Sequence, residues 1–174
     1  MNSDWPHTRF SLWLDQRLTQ IGQVTSWLWL VLLVVIVLNV VMRYVLGEGR
    51  IEFEELQWHI YAVGFLLGLS YANVHDAHIR VDIVRVKLPL VLQAWIEWYG
   101  ILLLLLPFVV LVLVYSVPFV QYSFSTWEVS EAPGGLPYRW LIKSSLTVGF
   151  FLLLLSALAR LSRVGKFLFA RESS

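Results

Sequence analysis

Val74-His-Asp-Ala-His-Ile-Arg-Val-Asp-Ile-Val-Arg-Val-Lys-Leu-Pro89 is the stretch on which the fold turns. It holds two histidines, two aspartates, two arginines and a lysine, and long apolar runs lie on both sides of it. Two candidate membrane spans precede it and two follow. The stretch therefore reads as a central polar loop between two halves of a membrane protein, and the side it faces sets the topology of the rest.

The composition agrees. The chain is 58% hydrophobic and 14% charged, against about 25% charged residues in soluble domains. Several runs exceed the roughly 18 uncharged residues that a lipid core requires. There is no cysteine, which excludes a disulfide framework, a thiol nucleophile and a cysteine metal site. Nine tryptophans suit a protein whose aromatic rings sit at the lipid–water boundary.

Before the first span, Phe10, Trp13, Leu14, Leu18 and Ile21 recur at helical spacing, with Arg9, Asp15, Gln16, Thr19 and Gln20 opposite. This pattern predicts an amphipathic interfacial helix over 8–23. Asp4, Asp15 and the lack of a small-residue cleavage site argue against a cleavable signal peptide.

Four spans are expected, at about 27–46, 56–74, 92–124 and 138–160. The first contains Asn39 and closes on Arg43 one turn later on the same face. Glu54 and Glu55 open the second. Either suits the positive end of the helix dipole, and either could pair with Arg43 across the turn at Gly47 and Gly49. Gly64, Gly68 and Ala72, spaced by four, form a small-residue face to which another helix can come close in lipid.

The third span is the longest. Tyr99 to Trp127 is uncharged and would extend about 43 Å as helix, against a hydrocarbon core of about 30 Å. One tilted or kinked span fits; two do not. Pro107 and Pro118 are the kink points. Trp95, Trp98 and Tyr99 place Glu97 in an interfacial belt, where it need not be buried.

Lysine and arginine counting orients the whole. The N-terminal segment, the central loop and the tail carry nine basic residues, including Arg160, Arg163 and Lys166. The two opposite loops carry four basic residues beside six glutamates. The positive-inside rule puts both termini and the central loop in the cytoplasm.

No reaction centre emerges. The middle of every span is uncharged, whereas a carrier keeps an ionisable residue inside the bilayer. His59 and His75 are 16 residues apart, about 24 Å along a helix, so they cannot grip one haem iron. His75, Asp76, His78 and Asp82 match no strong metal motif. No enzyme activity, cofactor or metal is expected. A membrane subunit with structural duties remains.

Asn39 with Arg43-Tyr44, Glu54-Glu55, His78-Ile-Arg-Val-Asp82 and Glu131-Ala-Pro-Gly-Gly-Leu-Pro-Tyr-Arg-Trp-Leu-Ile-Lys143, in this order, resemble the small membrane subunit (DctQ type) of tripartite ATP-independent periplasmic (TRAP) transporters. The last of these, with Gln57-Trp58-His59 and Phe65-Leu-Leu-Gly68, is similar to the branch labelled mannitol/chloroaromatic. Thr147-Val148-Gly149 departs from that branch, which carries a proline before the glycine.

The resemblance implies a scaffold that braces a large permease subunit. That partner would carry the substrate and sodium sites, and a periplasmic binding protein would deliver an organic acid. The setting implied is the bacterial inner membrane. His78, Arg80, Asp82, Arg85 and Lys87 are then expected to anchor the cytoplasmic edge to phospholipid headgroups or to a partner. Gly64, Gly68 and Ala72 would pack on helices, and Asn39, Arg43, Glu54 and Glu55 would form an outer polar cluster. Two rivals stand beside this reading: a haem-free membrane anchor of a redox complex, and a stand-alone small transporter.

Overall fold

The computed structural model describes residues 5–77 and 88–169. Its regular elements are all helical: α1 (Arg9–Tyr44), α2 (Ile51–Val74), α3 (Leu90–Ser125) and α4 (Arg139–Phe169). Three of them, α1, α3 and α4, are long and apolar enough to cross a membrane by length and composition. The acids at its start and the polar residues Gln57, His59 and Asn73 leave α2 without so long an apolar stretch.

Residues 8–23, expected as a separate interfacial helix, run without a break into the first apolar run. Thr8 starts α1 with a reciprocal cap: its Oγ1 accepts from the Ser11 N–H at 3.0 Å, and Ser11 Oγ accepts from the Thr8 N–H at 3.0 Å. No proline or turn cluster interrupts the helix before Tyr44. The chain then leaves through Gly47, whose φ of 70° is left-handed. Leu14 and Leu18 are buried, while Phe10, Trp13 and Ile21 face outward.

α3 is one helix of 36 residues, with a π-helical turn over Ile101–Leu105. The Leu106 N–H donates to the carbonyl of Ile101, five residues back. Pro107 follows at once; it lacks an N–H, and its ring crowds the carbonyl four residues before it. Widening the preceding turn shifts the bonding register around that ring. The irregularity thus falls beside Pro107. Pro118 lies inside a segment that remains α-helical.

The helices form a layer. α2 and α4 lie side by side, α1 flanks α2 and also touches α4, and α3 flanks α4. Trp29 meets Tyr61 edge-on at 5.8 Å between ring centroids, and Arg43 meets Glu54, so α1 and α2 are antiparallel. Gly149 faces Leu66 and Ser156 bonds Asn73, so α2 and α4 are parallel. Thr147 bonds Ser116 at 3.0 Å while Arg160 meets Glu97, so α3 and α4 are antiparallel. The start of α1, the end of α2, the start of α3 and the end of α4 consequently share one end of the layer.

Two apolar clusters hold it. Val109, Phe150 and Leu153 form the centre of one, between α3 and α4 and against Leu66 and Leu69 of α2. Trp5, Ala94, Val164 and Leu168 form the other, at the shared end, with Trp98 and Phe167 packed on it. Much of the remaining apolar surface faces outward, including Leu33, Val34, Leu103, Leu104, Val114 and Phe151. An outward apolar surface of this extent is what a protein solvated by lipid presents.

Candidate functional site

The most connected polar group of side chains lies at the shared end and draws on all four helices. α4 contributes Arg160 and Arg163, three residues apart and therefore neighbours on one face. Their side chains are 3% and 4% exposed. Arg160 Nε donates to the Glu97 carboxylate of α3. Its Nη2 lies 2.7 Å from Asp76 Oδ1, just past α2. Its Nη1 donates to the Asn73 carbonyl at 3.1 Å. Arg163 Nη1 stands 3.3 Å from Asp15 Oδ2 of α1.

A guanidinium suits this junction because its donors radiate in one plane toward several partners at once. Neighbouring bonds complete the fit. Asn73 Nδ2 donates to Ser156 Oγ at 2.8 Å. Thr8 and Ser162 share a hydroxyl contact of 3.1 Å. Lys166 Nζ donates to the His7 carbonyl at 2.9 Å.

Asp76 holds its place at a cost. With φ of 58° it adopts the left-handed conformation that usually falls to glycine after a helix. The Ala77 N–H closes the motif on the Ala72 carbonyl at 2.9 Å. A carboxylate here serves Arg160, which a glycine could not.

The opposite end has its own polar cluster. Arg43 pairs with Glu54, and both are substantially exposed. Glu55 does not join them. It accepts from the Ser130 hydroxyl and, at 2.6 Å, from the Leu136 N–H, gripping the turn that leads into α4. Gly135 allows that turn to close, since a Cβ there would collide with Ser130. Glu128 pairs with Lys143, whose Nζ sits 4.1 Å from the Phe119 ring centroid. Asn39 is buried and its Oδ1 has no partner.

The residues expected to matter thus separate. Arg43 and Glu54 come together, Glu55 turns to the 130–136 loop, and Asn39 stays apart. His78, Arg80, Asp82, Arg85 and Lys87 lie outside the described residues. Gly64 is in ordinary contact with the Trp29 ring, with the nearest atom 3.4 Å from where a Cβ would stand. Gly68 has no such neighbour within 4 Å. The tightest helix approaches occur at other glycines. A Cβ at Gly22 would overlap the Tyr71 ring, and one at Gly149 would come within 2.8 Å of the Leu66 carbonyl oxygen.

Three assignments are corrected. Glu97, expected at an exposed belt, has a side chain only 11% exposed and sits on Arg160. Arg160 and Arg163, expected as loose tail charges, are buried helix residues, because α4 continues to Phe169. Asp15, expected on a solvated face, faces Arg163. Their spacing offered a signal: an Arg pair three residues apart at the end of an apolar helix, with an isolated acid in each of three other segments.

Among the described residues no three histidine or acid side chains are grouped to hold a metal ion. His75 instead shares a 3.3 Å contact with Thr19, and its ring lies tilted against Tyr71 with 4.3 Å between centroids.

This architecture, with apolar helices long enough to span and charges gathered at the ends, defines a polytopic membrane protein built around helix-to-helix ties. Residues 32–166, more than three quarters of the chain, match the family model described as tripartite ATP-independent periplasmic transporters, DctQ component. The chain belongs to that family and is a small membrane component of a TRAP transport system, which works with a large permease and a binding protein. The family is one of transporter components and not of enzymes. No curated protein matches the chain.

Proposed function

We propose that this chain braces the large permease subunit of its transporter, holding a rigid helical layer against a partner that moves. The observation that carries the reading is the tie made by Arg160 and Arg163, which joins α4 to each of the other three helices. A second support is the lack of acidic or basic residues between Trp27 and Met42 and between Tyr99 and Trp127. Such interiors suit a scaffold and leave substrate and sodium sites to the partner. Uptake of an organic acid, driven by sodium and fed by the periplasmic binding protein, is the activity in which we place it.

Four spans in the bacterial inner membrane, with both termini and the central loop cytoplasmic, complete the proposal. α2 runs beside α1 and α4 and returns the chain to its starting end. Its 24 residues measure about 36 Å as helix, enough for a hydrocarbon core of about 30 Å. Burial of Arg160 and Arg163 withdraws two basic residues from the headgroups. The sequence still assigns seven other basic residues to that side of the membrane, against four to the other. His78, Arg80, Asp82, Arg85 and Lys87 would anchor that edge to phospholipid, with Gly68 and Ala72 turned to a partner helix.

A mild-detergent pull-down of the tagged chain from native membranes tests the reading. Recovery of one large polytopic protein in near-equal amount is expected. Recovery of a flavin or iron–sulfur subunit, or of the chain alone, would overturn it.

A further inference from the structure

Near the middle of α3, one exposed side chain is out of place in lipid. Tyr115 is 70% exposed, and its hydroxyl has no partner among the described residues. Glu97 lies 18 residues before it in the same helix, about 27 Å away. Ser125, the last residue of the helix, lies 10 residues after it, about 15 Å, which is half the thickness of a hydrocarbon core of about 30 Å. Helix side chains lean toward the N-terminus, so the phenol leans the longer way and reaches water at neither end. Tyr122, two turns further on, suits the boundary belt where tyrosines gather, whereas Tyr115 lies too deep for it. A hydroxyl in hydrocarbon without a hydrogen bond is costly, so the position calls for a polar group from a protein.

Its neighbours form a seat for a helix. Phe108, Leu111, Tyr115, Pro118 and Tyr122 follow one another at intervals of three and four residues and are all exposed. Val109 and Ser116, by contrast, are buried against α4. Alternating three and four spacing makes the seam along which a second helix packs at a small crossing angle. Pro118 adds a polar demand of its own. It has no N–H for the Val114 carbonyl one turn back, and neighbouring Ser116 donates to the Leu113 carbonyl instead. Carbonyls freed by proline in a membrane helix are re-satisfied from neighbouring helices and side chains. The outward face of α1 makes no such demand: between Leu30 and Val41 its exposed residues are all valine, leucine or isoleucine.

We propose that the α3 seam seats a spanning helix of the large permease subunit, which presents to Tyr115 a side chain that both donates and accepts, of the serine, threonine, asparagine or glutamine type. Such side chains are the ones that hydrogen-bond across helices in lipid. An acyl chain has no complement for the phenol. The occupant is the large subunit because that is the membrane partner with which this family works. The inference rests on the bracing reading and deepens it by naming the surface used.

Photo-crosslinking in native membranes tests it. p-Benzoylphenylalanine replaces Tyr115, or Val34 on the outward face of α1, in the full chain expressed with its transporter. The Tyr115 probe is expected to form a covalent adduct with the large subunit, and the Val34 probe to label lipid. Tyr115→Phe removes only the hydroxyl, at an exposed position. It should leave the melting of the chain unchanged and weaken retention of the large subunit about threefold, the effect of one hydrogen bond between membrane helices. An adduct from Tyr115 with lipid alone, or with a second copy of this chain, overturns the inference. Undiminished retention in Tyr115→Phe does the same, as does an equal yield of the large-subunit adduct from Val34. A chain that retains its large subunit but labels only lipid from Tyr115 sinks this inference alone. A wild-type chain that recovers no large subunit sinks the bracing reading as well.

Discussion

Arg160 Nη2 and Asp76 Oδ1, 2.7 Å apart, join the last helix to the end of α2 through a residue whose own backbone is left-handed, with φ of 58°. Local preference and tertiary demand conflict there, and the demand of the buried guanidinium prevails. Asp76→Gly should relieve the backbone and still destabilise the layer. Asp76→Asn keeps a residue that tolerates this conformation and removes only the charge. Both variants should melt below the wild type in detergent. A melting temperature for Asp76→Gly at or above wild type would show that the ion pair contributes nothing.

Arg160→Ala removes the group that faces both Glu97 and Asp76. Two largely buried carboxylates then lose their shared cation, a change that costs about 3–5 kcal/mol. The variant should unfold at markedly lower denaturant and be recovered poorly with the large subunit. Glu97→Gln, which keeps an acceptor for Arg160, should fall between it and the wild type.

Gly149 and Gly68 should respond oppositely to alanine. A Cβ at Gly149 would stand 2.8 Å from the Leu66 carbonyl oxygen and 2.9 Å from Leu66 Cβ. The helices must separate, costing about 1–3 kcal/mol, more than the roughly 1 kcal/mol gained in helix preference. At Gly68 nothing lies within 4 Å, so alanine should leave the isolated chain as stable or more so. Gly68→Leu then reports on the partner alone: normal melting with reduced co-purification is expected where a partner helix rests on this face.

Glu55 and Glu128 make the loop before α4 acid-sensitive. The Ser130 hydroxyl first, and then the Leu136 N–H, hold the Glu55 carboxyl below its ordinary value of 4.5. The bond from Lys143 does the same for Glu128. Lowered values mean that their contribution is complete above pH 4.5 and is lost as pH falls through the folded values. Proteolysis of the loop around Ser130 should therefore accelerate below pH 4.5 and stay flat above it.

Glu55→Ala should open the same loop at neutral pH. The Leu136 N–H and the Ser130 hydroxyl lose their common acceptor, and cleavage there should rise about tenfold, the lower range for charge-assisted bonds. Arg43→Ala, at an exposed pair, should change melting little, since such pairs contribute about 0–1 kcal/mol. A large loss in Arg43→Ala with none in Glu55→Ala would reverse the roles assigned to the two glutamates.

The sequence by itself determined the class of protein. Apolar runs such as Trp27 to Met42 and Tyr99 to Trp127 are too long and too free of charge for anything but helices in lipid, because an unpaired backbone there has no water to bond. It also named Pro107 and Pro118 as kink points, since a missing N–H is a local fact, and the structure puts the π turn beside Pro107 only. An ion pair from Arg43 across the short turn was one reading the sequence offered, but it left Glu54 and Glu55 as equal candidates, and the structure chose Glu54. Only the tertiary structure decided which charges work together. Asp15, Asp76, Glu97 and the Arg160–Arg163 pair are far apart in the chain, and each read alone as a charge at a polar end or face. Helix rotation and the extension of α4 to Phe169 bring them to one point, and neither can be read from hydropathy, which averages over a helix and does not say which face looks inward. The close-packing glycines were decided the same way. Gly64, Gly68 and Ala72 show the clearer pattern, but contact distance depends on the neighbour's side chain, and among the described helix glycines the neighbours lie nearest at Gly22, Gly149 and Gly165.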